Sequence, residues 1–315
     1  MACSNFYAVH ANCTESAADW RHCRCAGGFT MNRIWKRPAR LVWLAGLGCV
    51  LAAAVSPALA EDKPGDIKGT TLDPSADNLA ATWSKANLVL PASLTGRERW
   101  QGVPSAAPEV TGKAPLVVLM HGSSGVAPAV KDFQVWLADA LGLASVAPDS
   151  LAIEGRLIYV SPVPVEIYER VHALRLAELA YALNASKTWA WVDRARIVIA
   201  GTSEGSVAVS RYGGPDSAAR LIYSWSCEAN YFVDRPRPGF GHKEPVLNAI
   251  SARDPYFSPS NPWNKDYNVT GTCAGALKGN PHAVVLVVDA DVHTILNRAD
   301  VREATSRFLT GVLKP

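Results

Sequence analysis

The pentapeptide Gly201-Thr202-Ser203-Glu204-Gly205 sets a serine between two glycines, directly after the apolar run Arg196-Ile-Val-Ile-Ala200. A serine hydroxyl is a weak nucleophile until a neighbouring base takes its proton. A strand ending at Ala200 and a helix starting just after Ser203 would hold that hydroxyl above a sheet edge, at the positive end of the helix. Glycine suits positions 201 and 205 because side chains there would strike neighbouring backbone. A helix-capping serine is the plainer reading of such a residue; the preceding strand and the flanking glycines weigh against it.

The base candidates are His121, His172, His242, His282 and His293. His172 falls in mid-helix and His282 just before a strand, which points to packing or surface positions. His293 lies in Asp289-Ala-Asp-Val-His293, five residues past the apolar run Ala283–Val288, and is the preferred base. An imidazole base needs a carboxylate to fix its tautomer and to stabilise the imidazolium. Asp254, in Ser251-Ala-Arg-Asp254-Pro-Tyr, is the leading partner, with Asp289, Asp291 and Glu228 as competitors. An Asp before Pro is also a common turn residue.

The elements that must carry these residues follow from hydrophobic spacing. Continuous apolar runs at 115–120, 196–201 and 283–288 predict strands, the first of them buried on both faces, with shorter strands at 144–148, 221–225 and 246–251. Helical spacing predicts helices over 129–141, 165–184, 204–212 and 302–313. Strands alternating with helices imply an α/β fold, a mostly parallel sheet with helices on both faces in a single domain. No period of 20–50 residues repeats, which excludes a solenoid. Two stretches break the rhythm after strand ends, 227–245 and 255–281, where open α/β sheets build ligand sites. They carry Tyr231, Phe232, Tyr256, Phe257 and Trp263, candidates for an apolar pocket, and Arg235 and Arg237, candidates for an anionic group.

These residues together resemble the α/β-hydrolase superfamily, in particular its dienelactone-hydrolase-like branch. The resemblance spans roughly 114–313: the His121-Gly122 loop, Ala147-Pro-Asp149, Val192-Asp-Arg-Ala-Arg-Ile197 leading into the Ser203 pentapeptide, then Asp254 and His293. In that fold the order is Ser, then Asp or Glu, then His, and the oxyanion donors are two backbone N–H groups. Here these would belong to Glu204 and to Ser123, or else Ser124, in the loop His121–Gly125; His121 is then a structural residue. The resemblance implies hydrolysis of a small-molecule or oligomeric ester or lactone through an acyl-enzyme, with no metal or cofactor. Enzymes named for dienelactone cleavage use Cys at the nucleophile position. Ser203 moves the expectation towards carboxylic esters. A peptidase on the same fold and a non-catalytic binding domain are the alternative readings.

The chain has 315 residues, 49% hydrophobic and 19% charged, enough for a sizeable core. Its formal net charge of +3 is too small to suggest a nucleic-acid or membrane-surface partner. Residues 31–60 read as a secretory signal peptide: a basic start, the apolar stretch Leu41–Val55, and Ala58 and Ala60 before Glu61. The apolar stretch is shorter than a spanning helix needs, so no stable membrane insertion is expected. Gly46 occupies the place of the Leu in a lipoprotein box ending at Cys49. Residues 1–30 precede that signal and read as an upstream extension from a start assigned too early, rather than a metal cluster of His10, His22, Cys23 and Cys25. Removing the six basic and two acidic residues of 1–60 leaves 25 against 26, a net charge of −1. Residues 61–113 are expected to form a partly irregular segment laid over a catalytic domain at 114–315. Export to the periplasm or beyond would leave two cysteines, Cys227 and Cys273, in an oxidising compartment. A disulfide is expected there, with two separate buried thiols as the alternative.

Overall fold

A computed structural model describes residues 63–314; the readings of 1–30 and of the signal at 31–60 lie outside the described residues. In chain order the elements are β1 (Ile67–Lys68), α1 (Ala76–Ser84), β2 (Asn87–Leu90), α2 (Ala92–Thr95), β3 (Trp100–Gly102), β4 (Ala114–Met120), α3 (Pro128–Leu141) and β5 (Ala144–Ala147). There follow β6 (Ile158–Tyr159), α4 (Val165–Ser186), β7 (Val192–Thr202), α5 (Glu204–Arg211), β8 (Ala219–Tyr223), β9 (Val246–Ser251), β10 (Ala283–Val288) and α6 (Ala299–Val312).

Eight strands form one sheet in the order β10-β9-β8-β7-β4-β5-β2-β3. From β10 through β5 every pair is parallel, while β2 runs antiparallel to both β5 and β3. Strands β1 and β6 make a separate antiparallel pair. The expected strands and helices from 114 onward are present within a few residues. The stretch 61–113 differs from the irregular cover expected of it. It supplies the helix α1 and two strands of the sheet itself, so the sheet extends across the boundary at 114. Its Pro, Ser and Ala residues hide two strands of only four and three residues, too short to show a period.

Strand alternation explains the continuous apolar runs. In β4, Leu116, Val118 and Met120 join the core on one face, and Val117 and Leu119 the core on the other. In β7, Ile197 and Ile199 divide from Val198 and Ala200 in the same way. The first face is covered by α4 and α5, through Tyr168, Leu179, Leu183, Val207 and Val209. The second is covered by α3 and α6, through Phe133, Leu137, Val301 and Leu309. Helix α3 begins with Pro128 at its first position and stops at Gly142, whose φ of 64° reverses the chain without a Cβ clash. Because β10 sits at the sheet edge, Val284 and Val287 remain 45% and 48% exposed despite its apolar sequence.

The parallel strands end at one edge, so the loops after β4, β7, β9 and β10 gather there. The helices after β4 and β7, α3 and α5, lie on opposite faces. Their neighbouring strand ends therefore open a crevice, the place where open α/β sheets bind ligands.

Candidate active site

Ser203 stands between β7 and α5 with φ 54° and ψ −122°, a conformation a side chain rarely adopts. The turn is closed by backbone contact. A Cβ on Gly201 would lie 2.5 Å from the Gly205 carbonyl oxygen, and one on Gly205 would lie 2.2 Å from that of Met120. Only glycine lets α5 start so close to β4. The Ser203 N–H donates to the Tyr223 carbonyl (3.0 Å), and Ser206 Oγ donates to the Gly201 carbonyl (2.7 Å), which ties the turn to β7 and β8.

The loop after β4 lies against this turn: a Cβ on Gly122 would sit 3.3 Å from Ser203 Cβ. Ser123 and Ser124 line the same cleft as Ser203. His121 is fully buried. Its Nδ1 contacts the Gly122 carbonyl at 2.6 Å, and its Nε2 accepts the Ser150 N–H at 2.9 Å. Burial, reinforced by the Arg175 guanidinium, holds its pKa well below the usual imidazole range. His121 is neutral and engaged on both nitrogens.

After β10 the chain brings His293 to within 2.8 Å of Asp254, Nδ1 to Oδ2. Asp254 is fully buried, and its other oxygen accepts the N–H groups of Tyr256 (2.9 Å) and Phe257 (3.2 Å). These bonds aim the carboxylate at the ring. With Nδ1 donating to Asp254, Nε2 is left as the acceptor. Ser224 Oγ holds the His293 carbonyl at 2.6 Å, and Tyr256 stands edge-on to the ring with centroids 4.6 Å apart. Two of the competing carboxylates are engaged elsewhere: exposed Asp289 pairs with Arg253, and Glu228 accepts from the Thr270 and Gly271 N–H groups.

Ser203, His293, Ser123 and Ser124 open onto one cleft of about 410 Å³. Tyr159, Tyr231, Phe232, Tyr256 and Phe257 also line it. Trp263, grouped with these by sequence, packs against Tyr231 at 5.1 Å and is not among the cleft's lining residues. Arg235 and Arg237 line a separate hollow with Glu169 and Arg211. Cys227 and Cys273 form a disulfide, with Cα atoms 4.8 Å apart, that ties the 227–245 segment to the 255–281 segment. His172 is buried against Phe232, ring centroids 4.7 Å apart, as a packing residue.

Sequence reasoning missed the side chain of Glu204. It is fully buried, and its Oε1 accepts from Arg156 Nη2 at 2.8 Å while its Oε2 accepts from the Tyr159 hydroxyl at 2.7 Å. Burial and the Glu204 carboxylate push the Tyr159 pKa well above the usual phenol range, so Tyr159 stays a neutral donor. Arg175 and Glu178, also fully buried on α4, continue this polar cluster. Their signal was present on the helix: 175 and 178 fall on the same stripe as Val171, Leu174, Leu179 and Leu183. Among the described residues, no group of three His, Cys, Asp or Glu side chains is arranged to hold a metal ion, and no helix is long and apolar enough to cross a membrane.

No family model and no curated protein sequence matches the chain. Solved structures similar to it include a dienelactone hydrolase-like promiscuous phosphotriesterase from metagenomic libraries, at 17% identity and a TM-score of 0.46, covering 72% of this chain and 98% of that one. Est1E from Butyrivibrio proteoclasticus is similar at 16% identity and 0.43, covering 73% and 99%. A phospholipase/carboxylesterase from Dyadobacter fermentans is similar at 16% and 0.45, covering 63% and 93%. The strand order, the strained Ser203 turn between β7 and α5, and the helices on both faces of the sheet are those of the α/β-hydrolase fold.

Proposed function

We propose that this chain is an exported serine hydrolase that cleaves carboxylic esters or lactones. The observation that carries the reading is a strained Ser203 opening onto the same cleft as a His293–Asp254 pair. In the proposed reaction Ser203 Oγ adds to the ester carbonyl while His293 Nε2 takes the hydroxyl proton. Asp254 holds the imidazolium. The carbonyl oxygen becomes an anion facing the backbone N–H groups of Ser123 and Glu204. The C–O bond to the alcohol then breaks, and His293 returns its proton to the leaving oxygen. Water repeats the sequence on the acyl-enzyme and releases the acid. The aromatic wall of the cleft supports an apolar acyl or alcohol portion. The disulfide supports work in an oxidising compartment, in line with removal of residues 1–60 on export.

Ser203→Ala is expected to reduce hydrolysis of p-nitrophenyl butyrate by at least about a thousandfold, with its melting temperature close to that of the parent. Unchanged turnover would exclude Ser203 as the nucleophile.

A further inference from the structure

Beneath Ser203 two arginines, two glutamates and one hydroxyl, all buried, close a ring. Arg175 Nη1 donates to Glu178 Oε2 at 2.6 Å. Ser150 Oγ donates to Glu178 Oε1 at 2.7 Å and accepts from Arg156 Nε at 2.8 Å. Arg156 Nη2 donates to Glu204 Oε1 at 2.8 Å, and Arg175 Nε lies 3.4 Å from the same oxygen. Arg156 is 6% exposed and the other four are fully buried. Two guanidinium groups face two carboxyl groups, and burial pushes the Glu178 carboxyl pKa up while Arg175 opposes it.

Such a ring is a poor way to gain stability, since well-packed apolar side chains of similar volume often serve as well or better. What it does hold is geometry. Arg175 Nη2 also donates to the His121 carbonyl at 2.8 Å, the first residue of the loop after β4. Glu204 is the first residue after Ser203. The ring therefore grips the loop after β4 and the start of α5 from below. Those are the two segments whose N–H groups, at Ser123 and Glu204, face the developing anion in the serine-hydrolase reading. Ser150, on the loop after β5, also has its N–H bonded to His121 Nε2, which braces the same loop a second time.

We infer that the Arg156–Glu204–Arg175–Glu178–Ser150 ring is a positioning device that fixes the spacing between the two oxyanion donors. This rests on the serine-hydrolase reading of the site. The side chains of the ring act through the backbone they hold, that of Glu204 through its own N–H. A displacement of an ångström in a catalytic site can cost about a hundredfold in rate, so a donor pair held by buried ions should respond to removal of one charge.

The test uses the purified full chain, its Glu204→Gln and Ser150→Ala variants, and Ser203→Ala as reference. Glu204→Gln keeps shape and removes charge; Ser150→Ala opens the ring by one oxygen. Glu204→Gln is expected to lower kcat on p-nitrophenyl butyrate by about tenfold to a hundredfold with KM within about twofold, and Ser150→Ala by less in the same direction. The second readout is a trifluoromethyl ketone. Ser203 Oγ adds to its carbonyl, the hydroxyl proton passes to His293, and the ketone oxygen becomes the anion. Its affinity should fall by the same factor as kcat/KM. Wild-type kcat in both variants overturns the inference, whether or not they melt lower, because the ring is then structural only. A fall in kcat with undiminished ketone affinity also overturns it. A fully active Ser203→Ala would instead remove the serine-hydrolase reading itself.

Discussion

The two walls of the cleft are built on different physics. The wall carrying Ser203 and the His121–Gly125 loop rests on central strands and on buried charges, with Arg156, Arg175, Glu178 and Glu204 packed out of water beneath it. The wall carrying His293 rests on aromatic side chains and a covalent link. Phe232, Tyr256 and Phe257 pack around the ring of His293 or one another, and Cys227–Cys273 joins their two segments. Buried hydrogen-bonded ions impose direction and distance, which in the proposed reaction suits donors that must meet a developing charge. Rings and a disulfide restrict long loops while leaving a smooth surface, which suits a wall against which substrates of differing shape can lie. The segments 227–245 and 255–281 lie outside the regular strand–helix alternation; the disulfide compensates for few ladder hydrogen bonds.

The largest expected effect is on the aromatic wall's His293–Asp254 pair. Asp254→Asn should lower kcat by about a thousandfold or more, because an amide at that position leaves the imidazolium without a counter-charge and permits the wrong tautomer. Steady-state kinetics checks it; a loss under tenfold would show that another carboxylate serves His293. Next, replacing both Cys227 and Cys273 by Ser should lower stability by roughly 3–4 kcal/mol in the chain-entropy picture, read by urea unfolding. Hydrogen exchange should rise across 227–245 and 255–281 and little across 201–212. Equal loosening of both regions would erase the contrast between the walls.

The smallest effect is a pH slope. Burial first, then Arg175 for His121 and Arg211 for His172, keeps both imidazoles well below the usual range in the folded chain. The unfolded chain takes up those protons near pH 6.5. It therefore binds more protons than the folded state below that pH, and stability falls as the pH drops, by up to about 1.4 kcal/mol per unit for each histidine. Urea midpoints between pH 7.5 and 5.5 should show this. His172→Phe should remove about half of the slope, leaving the half that belongs to His121 under the Ser203 wall. An unchanged slope would show that His172 is not buried neutral.

The Ser203 turn was legible because its constraints are local: an apolar strand, two glycines and a helix start within ten residues of sequence. The strands after 114 were legible for the same reason, as continuous runs of Val, Ile, Leu and Ala; in β4 and β7 the run reflects burial on both faces, whereas edge strand β10 keeps Val284 and Val287 half exposed. His293 and Asp254 were legible as positions, each just past a strand end on the same sheet edge. Their pairing over 39 residues was the leading expectation, ahead of Asp289 and Asp291 only two to four residues from the histidine, and the two side chains meet at 2.8 Å. Proximity in the chain and proximity in the fold are different quantities, and only packing of β9 beside β10 makes the long-range pair the near one.

The sequence by itself determined the α/β alternation, the Ser203 turn and the set of residues at the carboxyl edge, because each follows from periodicity or from steric demands within a few residues. Tertiary structure decided the rest. It recruited Asn87–Leu90 and Trp100–Gly102 into the sheet and sent Arg235 and Arg237 to a separate hollow. It also turned Glu204 inward to meet Arg156 and Tyr159. Edge pairing and buried ion pairs depend on partners from distant segments arriving together, and the energy that selects them exists only once water has been excluded from between them.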